Sequence, residues 1–270
     1  QHYELAIDLF KTTNINIGLI TSKIVGTEKN KIINNLSNGN IKLLFGTHSL
    51  FQKKINFLNL GFVIIDEQHK FGVNQRIKLA RKGGDNCDVL TMSATPIPRT
   101  MMLSFFGDMD ISILNEKPKY RKEIVTLIKP ESKLDEIIPL IKKQIKLNYQ
   151  IFWVCPLIEQ SKKLNFSSAK NKFEDINKLF PNNVGLIHGN MSIEQRNKVL
   201  NSFINKKIKI LVSTTIIEVG VNFPDANIII IEDSNKFGLS QLHQLRGRVG
   251  RGNSVAYCIL MYKKNLSVNA

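Results

Sequence analysis

Phe62-Val63-Ile64-Ile65-Asp66-Glu67-Gln68-His69 sets four apolar residues directly before two adjacent carboxylates. A continuous apolar run of this kind suits a strand buried on both faces, as in a parallel sheet. Similar runs recur at 41–45, 89–92, 124–128, 151–154, 184–187, 208–212, 228–231 and 256–261. Helical patterns and turns lie between them, so strands alternating with crossover helices are expected. The fold class is therefore α/β with parallel sheets. Amphipathic segments at 133–147, 173–180 and 193–205 are candidate crossovers. The last opens Ser192-Ile193-Glu194-Gln195, a capping-box pattern with Ser192 as N-cap. The polar, basic stretch 162–172 reads as a surface loop.

With 270 residues and 43% hydrophobic content, the chain can fill the cores of about two domains. A polar, Pro-containing stretch at 115–121 marks the expected boundary. It divides a short first domain, 1–118, with three strands, from a second, 119–270, with about six. The longest purely aliphatic run, 228–231, falls far below the roughly 20 residues of a membrane span. Gln1-His2-Tyr3-Glu4 lacks the basic and apolar pattern of a secretory leader, and opens as though inside a helix. A cytoplasmic piece of a longer chain is expected. Cys87, Cys155 and Cys258 are spaced like no zinc or redox site, so three reduced thiols are expected.

Lys plus Arg number 38 against 22 Asp plus Glu, leaving a formal charge of +16. That excess points to a polyanionic partner, nucleic acid first. Lys dominates: 30 against eight Arg, yet Arg246, Arg248 and Arg251 fall within six residues. Where Lys is the default cation, clustered Arg suggests a site that needs planar, bidentate contacts to phosphate.

Five constellations follow apolar runs. Asp66 and Glu67 would sit at the carboxyl end of a strand, where open parallel sheets bind ligands. One carboxylate can help hold Mg²⁺, and the other can orient an attacking water; an acidic turn is the plain alternative. Thr91-Met92-Ser93-Ala94-Thr95-Pro96 reads as hydroxyls at a sheet rim, or simply as a turn. Gly46-Thr47-His48 and His188-Gly189-Asn190-Met191 offer phosphate-contacting groups, or ordinary loops. The richest region is 213–252, which includes Gln244-Leu245-Arg246-Gly247-Arg248-Val249-Gly250-Arg251-Gly252. Its glycines would let Arg248 and Arg251 approach a phosphate closely.

Asp66–His69, Ser93–Thr95 and Gln244–Arg251 resemble motifs II, III and VI of superfamily 2 helicases. Gly46-Thr47-His48 is similar to motif Ib, His188-Gly189 to motif IV and 213–226 to motif V. Residues 71–76, 95–100 and 237–244 resemble the branch shared by RecG helicases and the transcription-repair coupling translocase. Gln68, 153–159 and 218–221 are similar to the RecG side of that branch.

The resemblance implies two RecA-like lobes with ATP between them, the first lobe truncated at its N-terminus. It implies that Asp66 and Glu67 serve Mg²⁺ and the hydrolytic water, and that Arg248 and Arg251 act as arginine fingers. Gln68, His69, Gln244, Gly220 and Asn222 would surround the nucleotide. Ser93 and Thr95 would couple that site to movement, while Thr47, His48, His188 and Thr214 would face DNA. The implied activity is that of an ATP-dependent DNA helicase, a monomer working on branched duplexes in branch migration of Holliday junctions and reversal of stalled forks. The alternatives are a coupling-translocase motor and a non-catalytic DNA-binding remnant.

Three departures from the family pattern matter. No G-x-x-x-x-G-K-[ST] occurs in the 270 residues, so the phosphate-cradling loop is missing. The wedge domain and most of the helical hairpin that usually follows motif VI are missing too. Asn222 stands where motif V carries Asp. The polypeptide as it stands is expected to hydrolyse ATP negligibly.

Overall fold

The computed structural model describes residues 2–68, 71–93, 110–114, 116, 121–156, 162–214 and 223–263. The chain divides into two compact units, 1–101 and 102–270. The expected boundary at 118/119 lies outside the described residues.

The first unit runs α1 (His2–Leu9), β1 (Ile17–Ile20), α2 (Gly26–Ser37), β2 (Leu43–Gly46), a 3₁₀ turn (His48–Phe51), β3 (Phe62–Ile65), α3 (Val73–Ala80), a second 3₁₀ segment (Arg81–Asn86) and β4 (Asp88–Thr91). β1 pairs parallel with β2, and β3 pairs parallel with β4. Among the described residues there are four strands here rather than three. β1 is only Ile-Gly-Leu-Ile, and its internal glycine hides it from a reading based on apolar runs. A second correction concerns burial. Val63 and Ile65 are buried with Leu79 of α3, whereas Phe62 and Ile64 are 54% and 55% exposed. An all-apolar strand gives no period by which one covered face can be told from two.

The second unit runs β5 (Ile124–Pro130), α4 (Leu134–Lys146), β6 (Gln150–Val154), α5 (Lys162–Leu179), β7 (Val184–Ile187), α6 (Ile193–Ile204), β8 (Ile210–Ser213), β9 (Ala226–Ile231), α7 (Leu239–Arg246) and β10 (Ala256–Tyr262). Its six strands form one parallel sheet in the order β5-β10-β9-β6-β8-β7. Here both faces are covered, as the continuous runs require. Phe152, Val154, Leu211, Ile229 and Ile231 face Phe203, Phe223 and Leu245 on one side. Ile151, Trp153, Ile210, Val212, Ile228 and Ile230 face Ile137, Ile141, Ile176 and Phe180 on the other. Each fully buried Ile or Phe contributes roughly 1.5–3 kcal/mol relative to exposure, so this sheet fixes its own register.

The segment expected as a loop at 162–172 is the first half of α5. Ala169, Phe173, Ile176 and Phe180 recur at helical spacing against the sheet, and that stripe carries the polar residues into the helix. At α6, Ser192 Oγ accepts from Gln195 N–H, and Gln195 Oε1 accepts from Ser192 N–H, as the capping box requires. Where β6 meets β9, the register shifts between Gln150 and Ile151, leaving Asn227 as the extra residue. Its buried Nδ2 donates to Gln144 Oε1 at 2.6 Å, pinning α4 to β9. Among the described residues, no helix is long and apolar enough to cross a membrane.

Candidate functional site

In the first unit, Asp66 stands at the carboxyl tip of β3 with its side chain 47% exposed. Its Oδ1 accepts the backbone N–H of Glu67 at 2.8 Å, and its Oδ2 lies 3.4 Å from His2 Nε2. Glu67 takes a left-handed backbone, φ 50°, a conformation that costs a non-glycine residue of order 1 kcal/mol. After this turn, Gln68 N–H donates to Met92 O at 3.1 Å, and Met92 N–H donates to Ile65 O at 2.8 Å. The carboxylate loop is thereby latched to the segment that leads into Ser93. Buried Gln68 is gripped again by Arg76 of α3, whose guanidinium donates to its Oε1 at 2.8 Å.

β2 ends at Gly46, where a Cβ would stand 2.7 Å from Ile20 O, so a side chain there would force β1 and β2 apart. Thr47 then caps the 3₁₀ turn, and Thr47 and His48 are both exposed. The His48 ring packs on Phe71, centroids 4.8 Å apart. The structure thus places Asp66, Glu67 and Gln68 in one loop beside Ser93, and Thr47 and His48 after a different strand. His69 and Thr95 lie outside the described residues.

In the second unit, His188 and Thr214 are brought together. They follow the neighbouring strands β7 and β8, and Thr214 N–H donates to Ile187 O at 3.3 Å. Burial, and then the Arg196 guanidinium, hold the His188 imidazole below its ordinary pKa. Gly220 and Asn222 lie outside the described residues.

Gln244 is on α7, and Arg248 and Arg251 follow that helix, half-buried. Arg251 Nε donates to Gly247 O at 3.3 Å. Burial, then the charges of Arg248 and Arg121, push its pKa down. The third member of the sequence cluster has different work. Arg246 donates to Ile124 O at 3.2 Å and fastens α7 to β5. The glycines also answer to packing more than to phosphate access. Gly250 has φ 68°, and a Cβ on Gly252 would lie 2.7 Å from Pro224 O.

Sequence reading gave no chemical role to Arg76, within the quoted 71–76, which grips Gln68, or to Arg121, whose charge acts on Arg251. It also missed Glu232 and Asp233, at the carboxyl end of β9. Glu232 pairs with Lys172 at 2.6 Å, and Asp233 pairs with Lys236 and Lys263 at 2.8 and 3.2 Å. Their signal was the acidic pair directly after 226–231, which repeats the form of 62–67. Cys87, Cys155 and Cys258 are free thiols, and burial pushes Cys258 up to about 11.

Among the described residues, no three Asp, Glu, His or Cys side chains gather as a metal cage. The exposed Asp66 beside Glu67 instead suits Mg²⁺, which takes one or two protein carboxylates and completes its shell with phosphate oxygens and water. A nucleotide finds carboxylates and guanidinium groups in this chain but no phosphate-cradling loop.

Comparison with known proteins bears on the family and the fold. The DEAD/DEAH box helicase family matches residues 1–103, and the helicase conserved C-terminal domain matches 132–253. Two RecA-like units with these matches define a superfamily 2 helicase motor. ATP-dependent DNA helicase RecG of Thermotoga maritima is 46% identical over 97% of the chain, and that of Bacillus subtilis 44% over 97%. A solved structure of RecG bound to a three-way DNA junction superposes over 98% of the chain, with TM-score 0.73 and 41% identity. These matches support a RecG-type superfamily 2 helicase fragment. It spans 34% of the Thermotoga maritima relative and 38% of the Bacillus subtilis one.

Proposed function

We propose that the chain is the motor of an ATP-driven DNA helicase that acts on branched duplexes, as in branch migration of Holliday junctions and reversal of stalled forks. Similarity to RecG helicases over 97% of the chain, with Arg248 and the half-buried Arg251 directly after α7, carries this reading. Arg matches phosphate bidentately, which suits an incoming polyanion.

ATP, with Mg²⁺, supplies the phosphoryl group whose transfer drives movement. In this reading Asp66 would hold the metal, and Glu67 would take the proton of the attacking water. Arg248 and Arg251 stabilise charge on the transferring group, as arginine fingers do. Gln68, His69, Gln244, Gly220 and Asn222 orient the nucleotide, and Ser93 and Thr95 relay its state. Thr47, His48, His188 and Thr214 contact DNA phosphates. A monomer in the cytoplasm would suffice. The solved RecG structure was bound to a three-way junction, which supports branched DNA as partner.

The test is a chimera in which this chain replaces the matching third of Thermotoga maritima RecG. Junction unwinding with DNA-stimulated ATP hydrolysis is expected, and Glu67→Gln should abolish both. A folded chimera that binds junctions yet never hydrolyses ATP would overturn the proposal and leave a DNA-binding module.

A further inference from the structure

We infer that Phe71 and Arg76 are positioning residues that connect the DNA-facing His48 to the carboxylate loop at Gln68. The inference rests on the motor reading above and goes beyond it, because neither residue faces nucleotide or DNA there. Gln68 is held twice from one short stretch of chain. Phe71 N–H donates to Gln68 O at 3.1 Å, and the Arg76 guanidinium donates to Gln68 Oε1 at 2.8 Å. Between them, Gly72 N–H donates to Gln75 Oε1 at 3.2 Å, which closes the start of α3. Leu79, one turn further along α3, is buried against Val63 and Ile65 of β3. The helix is therefore a fixed body on the strand that ends in Asp66.

At the other end, the exposed His48 ring lies on Phe71, 4.8 Å between centroids and tilted 39°. Phe51 closes the group, 5.4 Å from Phe71 and 6.1 Å from His48. A phosphate that draws His48 outward must move the Phe71 ring or part from it. Any shift of Phe71 reaches Gln68 through one backbone hydrogen bond, and Gln68 N–H in turn holds Met92 O beside Ser93. Packed side chains and hydrogen bonds of this kind are the physical carriers of coupling between sites. Simple core packing would also place Phe71 here, and the test separates the two roles.

The chain is labelled with ¹⁵N at glutamine side chains, and a short DNA duplex is titrated in. Saturating DNA is expected to shift the Gln68 side-chain amide resonances. Phe71→Leu, which keeps apolar bulk, should bind DNA equally well but lose that shift, and Phe71→Tyr should restore it. Should Phe71→Leu fail to fold, Arg76→Met serves instead and should likewise lose the shift. A shift that survives these substitutions, or none in the unaltered chain at saturation, overturns the inference. A chain that binds no DNA at all overturns the DNA-binding reading itself.

Discussion

Arg121, just ahead of β5, donates its Nε to the carbonyl of Gly250 at 3.1 Å. The entry to the second unit is thereby tied to the loop that carries Arg248 and Arg251. Gly250 N–H donates in turn to Ala226 O at 3.3 Å, so the loop is braced from two sides. Arg121→Ala removes a charge-assisted bond, and the expected loss is about 1–2 kcal/mol of stability. Urea unfolding followed by the fluorescence of Trp153 measures it, since that buried side chain is the single tryptophan. An unchanged midpoint would show that the brace contributes nothing.

Glu232 is 7% exposed and depends on Lys172 for its charge partner at 2.6 Å. Burial alone would lower the pKa of Lys172, but the neighbouring Glu232 carboxylate raises it on balance. Lys172→Met leaves a buried carboxylate unpaired, which costs about 3 kcal/mol or more when a buried pair is broken. Lys172→Met with Glu232→Leu should recover most of that loss. Lys172 Nζ also lies 5.9 Å from the Trp153 ring centre, so the single substitution should change the emission of the folded protein.

His188 supplies a pH dependence with a definite sign. Its pKa is depressed in the folded chain, so between the folded value and the roughly 6.5 of a free imidazole the unfolded chain binds the extra proton. Stability must therefore fall as pH drops through and below that value. Denaturant melts at pH 7.5 and 5.5 should show the folded state weaker in acid. His188→Gln should shrink that difference. A larger stability at the lower pH in the unaltered chain, with the difference abolished by the substitution, would contradict the sign.

Without a phosphate-cradling loop, the 270 residues should show negligible ATP turnover, with or without DNA. DNA-stimulated turnover that Glu67→Gln abolishes would refute this. In the chimera that restores the loop, Arg251→Lys should lose most hydrolysis, because a point charge does not replace a bidentate fork. An arginine finger can be worth roughly 10³–10⁵ in rate, so the loss should be plain in a coupled ATPase assay. Near-normal turnover would remove Arg251 from that role.

The second unit was readable because its central strands are buried on both faces, although edge strand β5 leaves Val125 and Ile128 exposed. Continuous runs such as 228–231 leave few other structures open, and Ser192 announced α6 through its capping box. The first unit was less readable. Gly18 interrupts β1, and the apolar alternation of β3 is invisible when every residue is apolar. At the site, Asp66, Glu67, Arg248 and Arg251 stood out as charged residues beside apolar runs or glycines. Arg76 and Arg121 did not, because their importance lies in which carbonyl each one reaches. Gln68 meets Arg76 across a helix start, and Gly250 meets Arg121 across 129 residues, a separation at which local pattern carries no information. The role of Arg246 was hidden for the same reason.

The outward face of β3 and β4 shows water Phe62, Ile64 and Leu90 at 54%, 55% and 44% exposure, on a sheet of two strands. Such a greasy ledge favours self-association, which the formal charge of +16 opposes. Salt weakens that protection. Concentrated stocks should stay clear in dilute buffer and cloud as ionic strength rises, the reverse of what a merely basic protein would do.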